Sequence, residues 1–309
     1  MGGEGRDGAP LTQALARQTY SITDMRLESL DALIDDELRT LCVPLDHCIS
    51  VKTGKVDPSI LAELETRGFD QAPVYSSDRM SVFGLISTKR LREFLEAGIE
   101  VDGHDPEVRN EAHFLYTGAF LTLERLLSTL SERRAVFVVR ESSATEHGYV
   151  VWNYGLLTIS DLNRHALRSA LYTLFSLLES GLASLIQDSF TESWEWIRTL
   201  GENHQVGILG YWELSRRKGV DVGPIAAATL AQLLQVVARS KELMTTLGFK
   251  SRNEFEKLTA HIPETRNWVM HPVRPLIFDT ADVATLRETV ASVLSLHETV
   301  HGTRSRKAG

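Results

Sequence analysis

The stretch Tyr154-Gly155-Leu156-Leu157-Thr158-Ile159-Ser160-Asp161 ends an apolar run and opens a polar one. A counterpart, Val82-Phe83-Gly84-Leu85-Ile86-Ser87, stands about 70 residues earlier in the chain. Each stretch follows a second apolar run, and helical patterns flank each pair, so the order helix, strand, strand, helix occurs twice. The sequence therefore predicts two tandem α/β units.

The boundaries of these units follow from turn and capping residues. Asp57-Pro58 signals a helix start and Gly68 a helix end, and a Ser-Ser-Asp turn separates two apolar runs. We predict helices over Asp57–Arg67, Thr88–Ala97 and Leu121–Glu132, and strands over Gln71–Tyr75, Ser81–Ile86, Ala135–Val139 and Tyr149–Thr158. Ser160 is predicted to open a further helix.

The repeated pattern resembles a pair of CBS domains, a nucleotide-binding regulatory module, over roughly residues 40–170. The hallmark of that family is Gly-apolar-apolar-Thr/Ser-x-x-Asp, and the second repeat carries it in full with Thr158 and Asp161. The first repeat departs from it, because Arg90 stands where the aspartate belongs. The resemblance implies an α+β fold with a tandem βαββα pair and a lead-in helix over residues 22–168.

Since CBS pockets are shared between repeats, the resemblance pairs Thr158 and Asp161 with Phe69, Asp70 and Gln71 of the first repeat. Hydroxyl and N–H groups at a helix N-terminus suit a phosphate, and the carboxylate suits ribose hydroxyls. The resemblance thus implies one site for a regulatory adenine nucleotide, AMP, ATP or NAD(H).

Two other interpretations of these junctions stay open. In the second repeat, Thr158 or Ser160 caps a helix and Asp161 interacts with the helix dipole, with or without a ligand. In the first repeat, the implied second site is degenerate or favours a polyphosphate that Lys89 or Arg90 contacts.

From Ala166 onward the pattern is wholly helical, with a proline-free apolar stripe from Leu167 to Ile186 that contains Glu179. Further helices are predicted over Ser193–Leu200, Gln205–Arg216, Ile225–Leu247, from Pro263 to about Pro272, and over Ala281–His301. Residues 1–21 are predicted to be disordered and residues 303–309 to form a frayed tail.

The stretch Arg266-Asn267-Trp268-Val269-Met270-His271-Pro272 places a guanidinium, a carboxamide and an imidazole within six residues. Arginine stabilises developing charge on a phosphate, and histidine moves protons near neutral pH. On a straight helix Arg266 and His271 lie about 140° apart, so they converge more easily across a seam between two copies. The non-catalytic alternative is that Arg266 is a surface residue and that His271 interacts with the negative end of a helix dipole.

Residues 169–302 resemble the HEPN family, an all-α helical bundle whose ribonuclease members carry Arg-polar-x(3–5)-His near their last helices. The resemblance implies a homodimer that cleaves RNA by attack of the 2′-hydroxyl, with no cofactor for catalysis. His271 would be the general base or acid, Arg266 would stabilise charge on phosphorus, and Asn267 would position the site. Glu179 either corresponds to a glutamate that recurs in the first helix of that family, or it is an exposed helix charge.

Many HEPN domains lack nuclease activity, so two alternatives remain. The chain is a non-catalytic nucleotide sensor that acts through a protein partner, or it is the toxin of a toxin–antitoxin pair. A formal net charge of −8 over 309 residues argues against a dedicated nucleic-acid scaffold and makes RNA a transient substrate. Residues 170–309 are neutral, with 15 basic and 15 acidic residues.

Composition also limits metal, redox and membrane roles. Cys42 and Cys48 have no partners at zinc-ligand spacing and are expected to be free thiols of a cytoplasmic protein. His297 and His301 have no third ligand and are predicted to face solvent, so no metal site is expected. No apolar run indicates a membrane span, and the tryptophans near residue 195 are expected to serve packing.

Overall fold

The computed structural model describes residues 41–76, 82–110, 114–116, 122–141 and 152–308. The predicted disordered segment 1–21, and the predicted lead-in helix up to residue 40, lie outside the described residues. The described chain has the predicted α+β organisation, with two small sheets followed by a helical region.

The first unit is a three-stranded sheet with two helices. Its elements in chain order are β1 (Val43–Pro44), which joins the other sheet, β2 (Val51–Lys52), α1 (Pro58–Arg67), β3 (Gln71–Tyr75), β4 (Val82–Ser87) and α2 (Thr88–Ala97). The sheet order is β2-β3-β4, with β2 parallel to β3 and β3 antiparallel to β4. As predicted, Asp57 caps α1 by accepting from the Ser59 N–H at 2.9 Å. Gly68 ends α1 with a left-handed φ of 69°.

The second unit repeats this order. It follows α3 (Pro106–Asn110), whose Val108 packs into the core of the first unit. Its elements are β5 (Phe114–Tyr116), α4 (Leu123–Glu132), β6 (Ala135–Glu141) and β7 (Trp152–Thr158). The sheet order is β1-β7-β6-β5, with β5 parallel to β6 and the other pairs antiparallel. Gly155 permits the approach of β1, because a Cβ there would lie 2.9 Å from the Cys42 Cβ. Both units therefore have βαββα order, the helix after β7 beginning beyond a short turn.

The helical region consists of α5 (His165–Ser189), α6 (Ser193–Arg198), α7 (Glu202–Arg217), α8 (Leu230–Arg239), α9 (Lys241–Thr246), α10 (Arg252–Thr259), α11 (Ile262–Met270) and α12 (Thr280–Ala308). The single helix predicted over Ile225–Leu247 is wrong. A 3-10 turn over Pro224–Ala227 precedes α8, and hydroxyls of Thr229 and Ser240 cap α8 and α9 separately. A capping side chain competes with continuous helix for the backbone N–H groups.

The frayed tail predicted over 303–309 is also wrong, because α12 continues to Ala308. Thr303 is buried, and its hydroxyl donates to the carbonyls of Thr299 at 2.8 Å and Thr246 at 3.5 Å. This packing extends the last helix beyond the point where its apolar periodicity ends.

The largest hydrophobic core runs without interruption from the second unit into the helical region. It includes Leu127 of α4, Val136 of β6, Leu178 of α5 and Leu296 of α12, all fully buried. Helix α12 packs along both α4 and α5. The first unit has a separate core, and a small cluster that includes Tyr75 and Phe137 joins the two sheets.

Helix α5 is long and apolar enough, by length and composition, to cross a membrane, although more than half of its apolar window is buried inside the protein. The prediction that His297 faces solvent is wrong, because the residue is only 6% exposed. Its burial lowers the pKa of the imidazole. Trp196 is buried in the core, whereas Trp194 is partly exposed and packs edge-on against Trp212.

Candidate functional site

A cavity of about 520 Å³ lies where the two units meet the beginning of α12. Its walls include all five residues predicted to bind a ligand: Phe69, Asp70, Gln71, Thr158 and Asp161. The first three precede or begin β3, Thr158 ends β7, and Asp161 lies within the turn after it. The fold thus brings two distant parts of the sequence to one opening.

The junction after β7 is a closed network of hydrogen bonds. Asp161 Oδ2 accepts from the backbone N–H and the hydroxyl of Thr158, each at 2.8 Å. Asp161 Oδ1 pairs with Arg164 at 2.8 Å, and the carboxylate is mostly buried. Thr158 is thus the N-cap of a 3-10 turn and not of the long helix that follows. Because a carboxylate has about four acceptor positions, Asp161 retains capacity for a further donor.

The helix predicted to open at Ser160 begins later. A 3-10 turn over Ile159–Asn163 follows β7, and α5 starts at His165 after an extended Arg164. This turn points Asp161 back toward the end of β7, because its carboxylate is bonded to the Thr158 N–H.

Basic and aromatic side chains complete the cavity. Arg67, Arg134 and Arg164 line it, and the ion pair between Arg134 and Asp70 is long, at 3.6 Å, and exposed. Such exposed pairs contribute little and exchange readily. Phe69 is 50% exposed and Phe278, from the helical region, is 68% exposed. The arrangement offers guanidinium groups for an anion and ring faces for stacking.

The corresponding junction of the first unit has a different structure. Ser87 caps α2 by accepting from the Arg90 N–H at 3.1 Å. The Arg90 guanidinium pairs with Glu93 at 3.0 Å, Glu107 at 3.1 Å and Asp105 at 3.6 Å. The structure therefore directs Arg90 to three carboxylates. Neither Arg90 nor its neighbour Lys89 lines the 520 Å³ cavity.

Both cysteines are free, as predicted, and lie near the cavity. Burial, with a smaller contribution from Asp161, raises the pKa of Cys42 to about 12 and that of Cys48 to about 11. These thiols stay protonated and poorly nucleophilic at neutral pH. No group of three or more potential metal-ligating side chains occurs among the residues that the structure describes.

The predicted catalytic residues lie at the end of α11. The helix ends at Met270, and His271 is the residue that caps it, as the following Pro272 predicts. Arg266 is half-buried and faces Glu179 of α5 across 3.6 Å. Asn267 and His271 are exposed.

A second cavity, of about 320 Å³, includes both Arg266 and Glu179 in its walls but neither Asn267 nor His271. The structure thus brings Arg266 to Glu179 and not, within one chain, to His271. Glu179, interpreted as an exposed helix charge or as a glutamate of the resembled family, is partly exposed, with 29% of its side chain accessible.

Sequence reasoning missed the residues that hold this region together. Arg168 is buried on α5 and bonds carbonyl groups around His271, and Asn163 bonds the chain before α12. A signal for Arg168 was present, since Arg168 and Glu179 are the two charged residues within the apolar stripe from Leu167 to Ile186. Asn163 carried no comparable signal.

Comparisons with known proteins cover only part of the chain. No protein-family model matches it, and no curated protein matches it. A functionally unknown conserved protein domain from Neisseria meningitidis MC58 is 20% identical, over 44% of this chain and 82% of that one, with a TM-score of 0.30. A CBS domain protein from Streptococcus pneumoniae TIGR4 is 13% identical, over 47% and 92%, with a TM-score of 0.29.

A third similar structure is the CBS domain of the bacterial CNNM/CorC family Mg²⁺ transporter in complex with ATP. It is 16% identical, over 44% of this chain and 93% of that one, with a TM-score of 0.28. TM-scores near 0.3 carry no argument about function, so the functional interpretation depends on the geometry of this chain.

Proposed function

We propose that this protein binds an adenine nucleotide between its two βαββα units, and that the nucleotide controls RNA cleavage by the helical region. The observation that carries the proposal is the convergence of Phe69, Asp70 and Gln71 with Thr158 and Asp161 on one 520 Å³ cavity. A volume of this size falls in the range of small-molecule sites.

The chemistry of the cavity suits each part of a nucleotide. The exposed ring of Phe69 offers a stacking surface for a base, and the remaining acceptor capacity of Asp161 suits a ribose hydroxyl. Arg67, Arg134 and Arg164 offer charge for phosphates. AMP, ATP and NAD(H) are the candidates.

The proposed output is metal-independent cleavage at Arg266, Asn267 and His271. His271 accepts the proton of a ribose 2′-hydroxyl as its oxygen attacks the neighbouring phosphorus. The bond from phosphorus to the 5′-oxygen breaks, and the products are a 2′,3′-cyclic phosphate and a 5′-hydroxyl that takes up a proton. Arg266 stabilises charge on the phosphate, for which its guanidinium exchanges Glu179 for the phosphate oxygens.

A homodimer completes this proposal. Arg266 opens onto the 320 Å³ cavity, which Tyr172 (51% exposed) and Met270 (38% exposed) also line. A second copy over this opening would cover both apolar side chains and bring its own His271 toward Arg266. Light scattering of the wild type and of Tyr172→Arg tests this arrangement, since a dimer through this face is lost in the variant.

A second candidate function is a non-catalytic sensor that acts through a protein partner. The orientation of Arg266 favours it, because the guanidinium faces Glu179 while His271 lies exposed beyond the cavity. In that case nucleotide binding persists and RNA is never cut.

The test is cleavage of bulk tRNA and of a fluorescent single-stranded RNA with EDTA present. Wild type, His271→Ala and Arg266→Ala are compared without nucleotide and with AMP, ATP or NADH, and calorimetry measures nucleotide binding. We expect both variants to lose at least about 100-fold in rate, as general acid–base groups contribute at that level. His261→Ala, at the exposed start of the same helix, is the matched control and keeps the wild-type rate.

The outcomes separate the two functions. Cleavage that is lost in His271→Ala and responds to one nucleotide supports the gated ribonuclease. Nucleotide binding without cleavage supports the sensor. Absence of both binding and cleavage contradicts the proposal as a whole.

A further inference from the structure

One stretch of chain touches both candidate sites. Residues 271–280, which we name the linking segment, run from the residue after α11 to the first residue of α12, and residues 271–279 form neither helix nor strand. Its first residue is His271. Its last three residues, Phe278, Asp279 and Thr280, line the 520 Å³ cavity.

Asn163 fastens the later part of the linking segment to the 3-10 turn after β7, whose residues 159–161 line the cavity. It ends the 3-10 turn that begins beside Thr158. Its Oδ1 accepts from the N–H groups of Leu276 at 2.6 Å and Ile277 at 3.0 Å, and its Nδ2 donates to the Ile277 carbonyl at 2.8 Å. Three hydrogen bonds from one amide fix the position of this backbone, so a displacement of the turn displaces residues 276–277.

Arg168 fastens the earlier part. The residue is 6% exposed, and its guanidinium donates to the Trp268 carbonyl at 2.7 Å, to the Val269 carbonyl at 3.4 Å and to the Arg274 carbonyl. These carbonyls lie on both sides of His271 in the chain.

No carboxylate in the described part of the chain forms an ion pair with Arg168. The positive charge is instead held by backbone carbonyls at the negative end of α11 and by the carbonyl of Arg274. Loss of its hydrogen bonds would leave a buried charge without compensation, which fixes Arg168, and hence the backbone around His271, in one arrangement.

We propose that the linking segment transmits occupancy of the cavity to His271, with Asn163 and Arg168 as the positioning residues. This inference rests on the proposed nucleotide site. A ligand reaches the segment directly at residues 278–280 and indirectly through the turn that ends in Asn163. Arg168 then keeps the backbone on both sides of His271 in a fixed relation to α5.

The experiment is hydrogen–deuterium exchange of the full chain, followed in peptides that cover residues 271–280, with calorimetry of ATP, AMP and NADH on the same samples. In the wild type we expect the nucleotide that binds to slow exchange in the linking segment by about tenfold, the change that one added hydrogen bond gives. In Asn163→Ala we expect that slowing to disappear while affinity stays within about threefold, because Asn163 does not line the cavity.

Two further variants keep the test informative. Phe278→Ala changes an exposed ring, so its fold is retained, and we expect the nucleotide-dependent slowing to be lost.

Arg168→Lys keeps the charge but not the planar set of donors. We expect faster exchange around residues 268–274 without ligand, and in the RNA assay a lower kcat at unchanged KM. Asn203→Ala, exposed on α7, is the control and responds as the wild type does.

Nucleotide binding in the wild type with unchanged exchange in the linking segment would overturn this inference and leave the nucleotide site standing. A wild-type response in Asn163→Ala would also overturn it. Absence of nucleotide binding in calorimetry would overturn the proposed site and this inference together.

Discussion

The two βαββα units share one topology and differ at the junction where their last strand ends. In the first unit, Ser87 caps α2 and Arg90 turns to the carboxylates of Glu93, Asp105 and Glu107. In the second, the carboxylate of Asp161 closes onto Thr158 and Arg164 beside the cavity. The first junction, with Arg90, thus forms a local cluster of ion pairs. The second, with Asp161 at the corresponding position, forms part of the cavity wall.

The units also differ in how they are attached. The first has its own core, which includes Val74 and Leu91, whereas the second shares a core with α5 and α12. The junction that faces the cavity is therefore the one built into the helical region. Attachment of this kind lets a local change at the junction reach distant helices, because packed cores transmit displacements.

The largest expected effect is a loss of stability on truncating a core side chain, and it should differ in extent between these two cores. Leu91 of the first unit and Leu127 of the second are both 0% exposed, and truncation of either to alanine should cost about 3 kcal/mol. We expect Leu91→Ala to raise hydrogen exchange in residues 51–97 alone, and Leu127→Ala to raise it in the second unit and in α12 together. Denaturant unfolding and peptide-resolved exchange measure both. If Leu91→Ala loosened α12 to the same degree, the view of two separate cores would be wrong.

A smaller effect should distinguish the junctions. Asp161→Asn keeps an acceptor for the Thr158 N–H but removes the charge, and we expect nucleotide affinity to fall about 10- to 100-fold, as for a lost charged hydrogen bond. Arg90→Gln, at the corresponding position of the first repeat, should change affinity less than about twofold. Calorimetry with ATP, AMP and NADH checks both. An equal loss in Arg90→Gln would indicate that the first junction also binds the nucleotide.

The smallest expected effect is the pH dependence of stability that comes from Cys42, which lies beside Gly155 in the sheet of the second unit. The pKa of Cys42 is raised from 9.0 to about 12, so the folded state keeps its proton while the unfolded state loses it above pH 9. The contribution of Cys42 to the free energy of unfolding is therefore present in full below pH 9. It declines as the pH rises from 9 to 12, and the loss is about 1 kcal/mol at pH 10. Cys42→Ala should show a correspondingly flatter decline between pH 8 and 10 in urea unfolding. Identical slopes would show that Cys42 titrates normally in the folded protein.

Much of the fold could be predicted from local signals. Asp57-Pro58 and Gly68 bound α1 as expected, and the repeated strand pairs appear in order, because caps, turns and alternating apolar residues act over a few positions. The break between α8 and α9 was missed, since the apolar periodicity continues through Ser240 and only the hydrogen bond to the Leu243 N–H shows the new cap.

The candidate sites were predictable to different degrees. The resemblance to a CBS pair implied that Phe69 and Asp161 share one pocket, whereas nothing in the sequence indicated that Phe278 would join them. Glu179 and Arg266 were both noted as candidates, but their pairing required the approach of α5 and α11.

The sequence by itself determined the repeated strand pairs, the helices that flank them and the charge at each strand end, because these depend on neighbours a few residues apart. Only the tertiary structure decided that Asn163 and Arg168 hold the linking segment, with partners 100 or more positions away in the chain. Such contacts depend on how the helices pack around the shared core. No local pattern encodes which backbone groups that packing leaves in need of a partner.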